Sequence, residues 1–180
     1  MNYIKLMLLV SIGLTLCCCN NDDDNNSQNP IDQLPPATQT GEQTFGCLLD
    51  DKPFLPSGVV NPTQCNYQLV NGEYYFFVTG RMEQDVSFEL FSISISTNTL
   101  QIEEGETYQL LAEADGNATG IYGYNGDLFF TNTLQTGQMT ITKLDPTNQI
   151  VSGTFFFDVI DQNGELRQIR DGRFDMQYTQ

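Results

Sequence analysis

From Gly41 onward the chain runs in short apolar segments cut by turns, and no stretch sustains an apolar period near 3.6. Period-2 alternation predicts strands over 44–49, 52–55, 64–70, 74–81, 86–96, 107–112, 120–123, 127–132, 137–144, 149–160, 164–170 and 173–178. Between them, Asn71-Gly72, Asn125-Gly126, Asn163-Gly164 and Asp171-Gly172 supply residues that tolerate positive φ, as tight hairpins require. Helix content should be low.

Two segments say more. Over 86–95, Val86, Phe88 and Leu90 alternate on even positions, whereas Phe91, Ile93 and Ile95 continue on odd ones. A strand changes faces only by gaining a residue, so a β-bulge or sharp bend is predicted at Leu90-Phe91. Over 149–160, Val151, Phe155, Phe157 and Val159 form one face while Ile150, Phe156 and Ile160 populate the other. Two apolar faces predict a central strand covered on both sides, or an edge of a thick sandwich. Its sequence neighbours suggest an antiparallel meander with a kink at Asp171-Gly172, after which Phe174, Met176 and Tyr178 point inward. The expected fold is all-β: an antiparallel β-sandwich or flattened β-barrel with little helix, a lipocalin-like barrel being the alternative.

The first forty residues follow a different pattern. Lys5 precedes an apolar run from Leu6 to Leu16, the length of a signal-peptide h-region and too short to span a bilayer as a helix. Leu16-Cys17-Cys18-Cys19 closes it and resembles the lipobox of bacterial lipoproteins. Cys19 fits best as the lipidated residue, because Leu16 then lies three positions before it; Cys18 would put Thr15 there instead. An ordinary secretory signal beside a chance cysteine cluster is the competing reading. Residues 1–18 are thus expected as a lipoprotein signal peptide and 19–40 as lipidated Cys19 plus an acidic, proline-bearing tether. In the tether, Ile31 and Leu34 are the only sizeable apolar side chains. About 20 flexible residues would hold the β domain, 41–180, about 25 Å from the membrane. The run Asp22-Asp23-Asp24 reads either as a solvated charge run or as an acidic signal for surface export. The expected location is therefore the outer membrane, lipid-anchored at the cell surface, with a periplasm-facing domain as the alternative.

Composition narrows the chemistry. Against seven basic residues the chain has 23 acidic ones, a net charge of −16; removing 1–18 takes Lys5 and no acid, giving −17. Such a surface repels nucleic acid and anionic head groups, so no nucleic-acid partner is expected. The chain has no histidine and no tryptophan. That excludes Ser-His and Cys-His nucleophile pairs and the usual zinc ligand. Of five cysteines, three belong to the lipobox, leaving Cys47 and Cys65. In an oxidising compartment they suggest one disulfide, stabilising by roughly 3 kcal/mol; two buried free thiols are the alternative.

The segments Thr44-Phe45-Gly46-Cys47, Lys52-Pro53-Phe54-Leu55-Pro56, Ser152-Gly153-Thr154-Phe155-Phe156-Phe157 and Asp171-Gly172-Arg173-Phe174-Asp175 together resemble an uncharacterised family of Bacteroidota lipoproteins. That resemblance implies an all-β lipoprotein domain of unknown function and carries over no catalytic residue.

Candidate chemistry is sparse. Asp115, Asn117 and Asp127 offer oxygen ligands for Ca²⁺, although their spacing is not that of an EF-hand and tight turns use the same residues. Glu103, Glu104 and Glu106 are either paired carboxylates for glycoside hydrolysis or a solvated hairpin tip. Tyr74, Tyr75, Phe76 and Phe77, with Phe88, Phe129, Phe130, Phe155 and Phe157, either line a ligand cavity or pack as core. Arg167, Arg170 and Arg173 either bind an anion or pair with nearby acids. The expected function is a non-enzymatic binding module for glycan, protein or a small ligand. A carrier of a small apolar ligand is second and a carboxylate-based hydrolase third. No cofactor is expected beyond the candidate Ca²⁺.

Overall fold

The computed structural model describes residues 29–84 and 86–180; Cys19 and the signal segment lie outside them. Eleven strands follow in order: β1 (Thr44–Leu49), β2 (Lys52–Phe54), β3 (Thr63–Val70), β4 (Glu73–Glu83), β5 (Leu90–Thr97), β6 (Thr107–Leu110), β7 (Ala118–Tyr124), β8 (Asp127–Phe130), β9 (Gly137–Asp145), β10 (Ile150–Ile160) and β11 (Leu166–Gln177). The only helical element among the described residues is a 3₁₀ turn, Pro30–Gln33. The protein is therefore all-β with little helix.

The strands form one sheet in the order β2-β1-β11-β10-β9-β6-β7-β5-β4-β3, with β8 on the second edge of β7. Every pairing between these strands is antiparallel except a single parallel rung, Leu110 to Ala118, that joins β6 to β7. The sheet folds over so that β10 faces β7 and β8, and β1 faces β4. Its two ends approach at the isolated bridges Ser57–Met82 and Asn66–Thr179 without closing into a ladder. The result is a flattened, open sandwich, and the lipocalin-like closed barrel is corrected on that ground.

Side-chain alternation explains the packing. On β10 the odd positions Val151, Phe155, Phe157 and Val159 are buried, and they meet Phe45, Ile93, Ile141 and Phe174 in one core. From Thr154 onward the opposite face of β10 is open, with Phe156 44% and Ile160 37% exposed, which corrects the expectation of cover on both sides there. Gly120 in β7 lets the Phe157 ring lie against the backbone, since a Cβ there would come within 2.7 Å of it.

The turn signals hold in two grades. Asn71-Gly72 and Asn125-Gly126 both take φ > 0 at each residue, the backbone of type I′ hairpins. Asp171 also takes φ > 0, but 164–170 and 173–178 do not separate. They are one strand, β11, with a bulge there, because its pairings with β1 and β10 both shift register across 170–172. The bulge predicted at Leu90-Phe91 does not occur: Glu83 to Leu90 and Met82 to Phe91 pair in continuous register. Val86 and Phe88 belong instead to a turn over 84–89, in which Phe88 takes φ +55° and both side chains face solvent. Their even spacing reflected no strand face.

Residues 29–40, expected as part of a solvated tether, are docked on the sheet instead. Leu34 is buried, and the Pro35 carbonyl accepts from Arg173 Nη1 at 3.3 Å. The main anchor is Asp175, 1% exposed on β11. Its carboxylate accepts from the amides of Thr40, Gly41 and Glu42 at 3.0, 2.8 and 3.2 Å and from Ser152 Oγ at 2.7 Å. Burial alone would raise its pKa; the Ser152 hydroxyl and loop amides outweigh that and bring it down to about 2.

The disulfide expected between Cys47 and Cys65 is likewise corrected: both are free, buried thiols. They sit on β1 and β3, which are not neighbours in the sheet, and both pack within the one core. Burial pushes both thiols well above their ordinary pKa, so neither is poised as a thiolate.

Candidate functional site

One end of the sandwich carries a cleft of about 720 Å³ between two sets of hairpin ends. The first wall comes from the β1–β2 and β10–β11 turns, with Asp50, Lys52, Phe54, Asp161 and Arg167 facing the space. The second comes from the ends of β4, β5 and β7. Met82, Phe91 and Tyr124 lie on one rung across those three strands, because Met82 pairs with Phe91 and Phe91 with Tyr124. Tyr122 and Phe54, both buried, belong to its floor.

Arg167 organises the first wall. Its Nε and Nη2 donate to Asp161 Oδ2 at 2.9 and 2.7 Å, Nη1 to Asp50 Oδ2 at 2.9 Å, and Nη2 to Glu165 Oε2 at 2.8 Å. Asp161 is itself locked: its other oxygen accepts from the amides of Asn163 and Glu165 at 2.8 and 3.0 Å. Burial opposes its charge, but the Arg167 fork and those amides hold its carboxyl below the usual range. Hydrogen bonds to Asp50 and Asp161 keep the guanidinium protonated beyond its already high value.

Asp50 reaches Arg167 through an unusual turn. Leu49 pairs with Lys52, leaving Asp50 and Asp51 as a two-residue loop with φ of 50° and 62°. Consecutive positive φ without glycine stores backbone strain. It is balanced here because Asp50 Oδ1 also accepts from the Gln168 amide at 2.9 Å.

On the second wall, Phe91 and Tyr124 have ring centroids 5.2 Å apart at 54°, a tilted pair whose faces are not mutually covered. The Tyr124 hydroxyl donates to Glu89, which also accepts from Ser87 Oγ at 2.8 Å. Those two bonds, Tyr124 first, hold the Glu89 carboxyl below its ordinary value, while the Glu89 acceptor raises the Tyr124 phenol. Tyr122, deeper in, is pushed up to about 12 chiefly by burial.

Most residues singled out from sequence lie elsewhere. Asp115 and Asn117 precede β7 and Asp127 follows it, so the length of that strand, about 20 Å, separates them. They cannot share one ion, and the candidate Ca²⁺ set is corrected accordingly. Asp115 accepts from Asn98 Nδ2 at 2.8 Å and Asn117 Nδ2 donates to the Ala112 carbonyl at 2.9 Å, as turn-building residues do. Among the described residues no group of three or more acidic or cysteine side chains is arranged to hold a metal. Glu104 accepts from the Leu144 amide at 2.9 Å and lies 3.3 Å from Lys143 Nζ, so it ties a loop to β9. Phe76, Phe155 and Phe157 are core. Arg170 pairs with Asp158 at 2.7 Å.

At the opposite end, a cleft of about 480 Å³ gathers Tyr67, Tyr74 and Tyr178. Tyr67 stacks on Tyr74 at 5.3 Å and meets Tyr178 edge-on at 5.7 Å, so these rings spend their faces on one another. Asp50 and Glu89 were not singled out by sequence; Arg167 was, through its concentration of charge near the C-terminus.

Comparison with known proteins gives no match to a family model, to a curated protein or to a solved structure.

Proposed function

We propose that this protein is a lipid-anchored, non-enzymatic binding module, and that the cleft headed by Arg167 is where its ligand docks. The observation that carries the reading is the wall-to-wall contrast at that cleft: a guanidinium fixed by three acids faces a half-exposed aromatic pair. A rigid concave site with a few oriented polar groups beside aromatic rings is what recognition requires. General-acid chemistry needs a carboxyl with a raised pKa, and Asp161 and Glu89 are both shifted the other way. The filled core weighs against a carrier with an internal chamber.

Two measurements test it. Cys19→Ala should move the protein from the membrane fraction to the soluble one; continued attachment would sink the anchor. The exposed cleft residue Gln162, replaced by Trp, should abolish whatever ligand the wild-type protein retains on a glycan and peptide array without changing its melting temperature. Equal retention by both proteins would remove the cleft from the proposal.

A further inference from the structure

We infer that the cleft recognises a cationic group, an ammonium or a guanidinium, seated against the Phe91–Tyr124 pair and flanked by Glu83 and Glu89. This rests on the cleft being the binding site and adds the chemistry of what it takes. The charge of the lining points one way: four carboxylates (Asp50, Glu83, Glu89, Asp161) stand against two cations, Lys52 and Arg167, a net −2. The chain around it carries −16, so the field at the mouth favours approach of a positive ligand.

Arg167 is the side chain an anion would seek, and it is spent. Its Nε, Nη1 and Nη2 already serve Asp161, Asp50 and Glu165, and its cluster of three acids outweighs its own charge. A carboxylate or phosphate arriving there would displace an internal partner and meet the displaced acid.

The aromatic wall is free in the complementary sense. Phe91 and Tyr124 are half-exposed, tilted rings on adjacent strands, with Met82 completing the rung. Cations favour the electron-rich faces of such rings, most of all where a carboxylate stands nearby. Glu89 is placed there by its bond to the Tyr124 hydroxyl, and a phenol donating to a carboxylate leaves its ring richer in electrons. Glu83 ends β4 beside the same rung, opposite Leu90. Neither carboxylate is ion-paired among the described residues.

The shared chemistry is the cation, which a protein's arginine or lysine or a free amine could bring. Calorimetry on the full-length protein in detergent micelles, with three probes, separates these sources: a blocked Ala-Arg-Ala peptide, spermidine and neutral maltotriose. A single saturable site for the peptide or for spermidine is expected, and the tighter of the two names the source. Affinity should fall about tenfold in Glu89→Gln and in Phe91→Leu, and remain unchanged in Glu73→Gln at the other end of the sheet. Equal losses in Glu73→Gln and Glu89→Gln would mean attraction to overall charge and would overturn the inference. Maltotriose binding that Gln162→Trp abolishes, with no cationic probe competing, would keep the cleft as a binding site and refute the cation. Cationic probes that bind equally well to Gln162→Trp would take both readings down together.

Discussion

Two buried aspartates, Asp161 in the β10–β11 turn and Asp175 on β11, show how differently the same side chain can be used. Asp175 is satisfied entirely by neutral donors, three amides and a hydroxyl, and it fastens the N-terminal segment onto β11. Asp161 divides its oxygens between two amides and a guanidinium. A carboxylate held by neutral donors keeps its negative charge in place and acts as a clasp. One held by arginine cancels that arginine, and so decides what an adjacent cleft will not attract. The first serves stability and the second serves selectivity.

The comparison can be broken from the larger side first. Replacing Asp175 with Ala leaves three part-buried amides and the buried Ser152 hydroxyl without their acceptor and should cost about 3 kcal/mol of unfolding free energy in urea. A loss under about 1 kcal/mol would show that the segment is held by something else. Arg167→Met should cost less, about 2 kcal/mol, because Asp161 loses its counter-charge but keeps two amides. It should also leave the cleft more negative and strengthen spermidine binding, which a purely structural role for Arg167 would not do.

Acid tests the Asp175 clasp directly. Asp175 has a folded-state pKa near 2 against an unfolded value near 3.9, so its contribution is complete above about pH 4 and lost as pH falls through 2. Wild type should lose about 2 kcal/mol more than Asp175→Asn between pH 4 and pH 2. Parallel curves for the two proteins would contradict the depressed value. The smallest effect is expected for Asp50→Ala, whose partly exposed ion pair should contribute about 1 kcal/mol by a double-mutant cycle with Arg167→Met.

Much of the fold was legible because the strand and turn signals are local. Asn71-Gly72 and Asn125-Gly126 fix their hairpins without outside help. Phe88 misled because alternation was read through a turn whose backbone, at φ +55°, no longer obeys a strand's period. The docking of the segment before β1 was missed for a related reason. Its few apolar residues suggested solvated chain, but it is held by Asp175 through backbone amides, which leave no trace in side-chain hydropathy. The cleft was illegible because its parts come from four separate hairpin ends, at 50, 89–91, 122–124 and 161–167. Arg167 stood out, but its partners Asp50 and Asp161 followed only from topology. Pairing Cys47 with Cys65 counted thiols without knowing that β1 and β3 are not neighbours.

The position of β1 between β2 and β11 also has a kinetic consequence. The clasp joins Glu42 to Asp175 across 133 positions, and β1 has no neighbour but the short β2 until β11 arrives. Closing so long a loop must precede the reward of its contacts, which places the step late and makes it slow. The first strand out therefore waits for the last, and the meander β9-β10-β11, whose pairings are local, is the natural nucleus on which it lands.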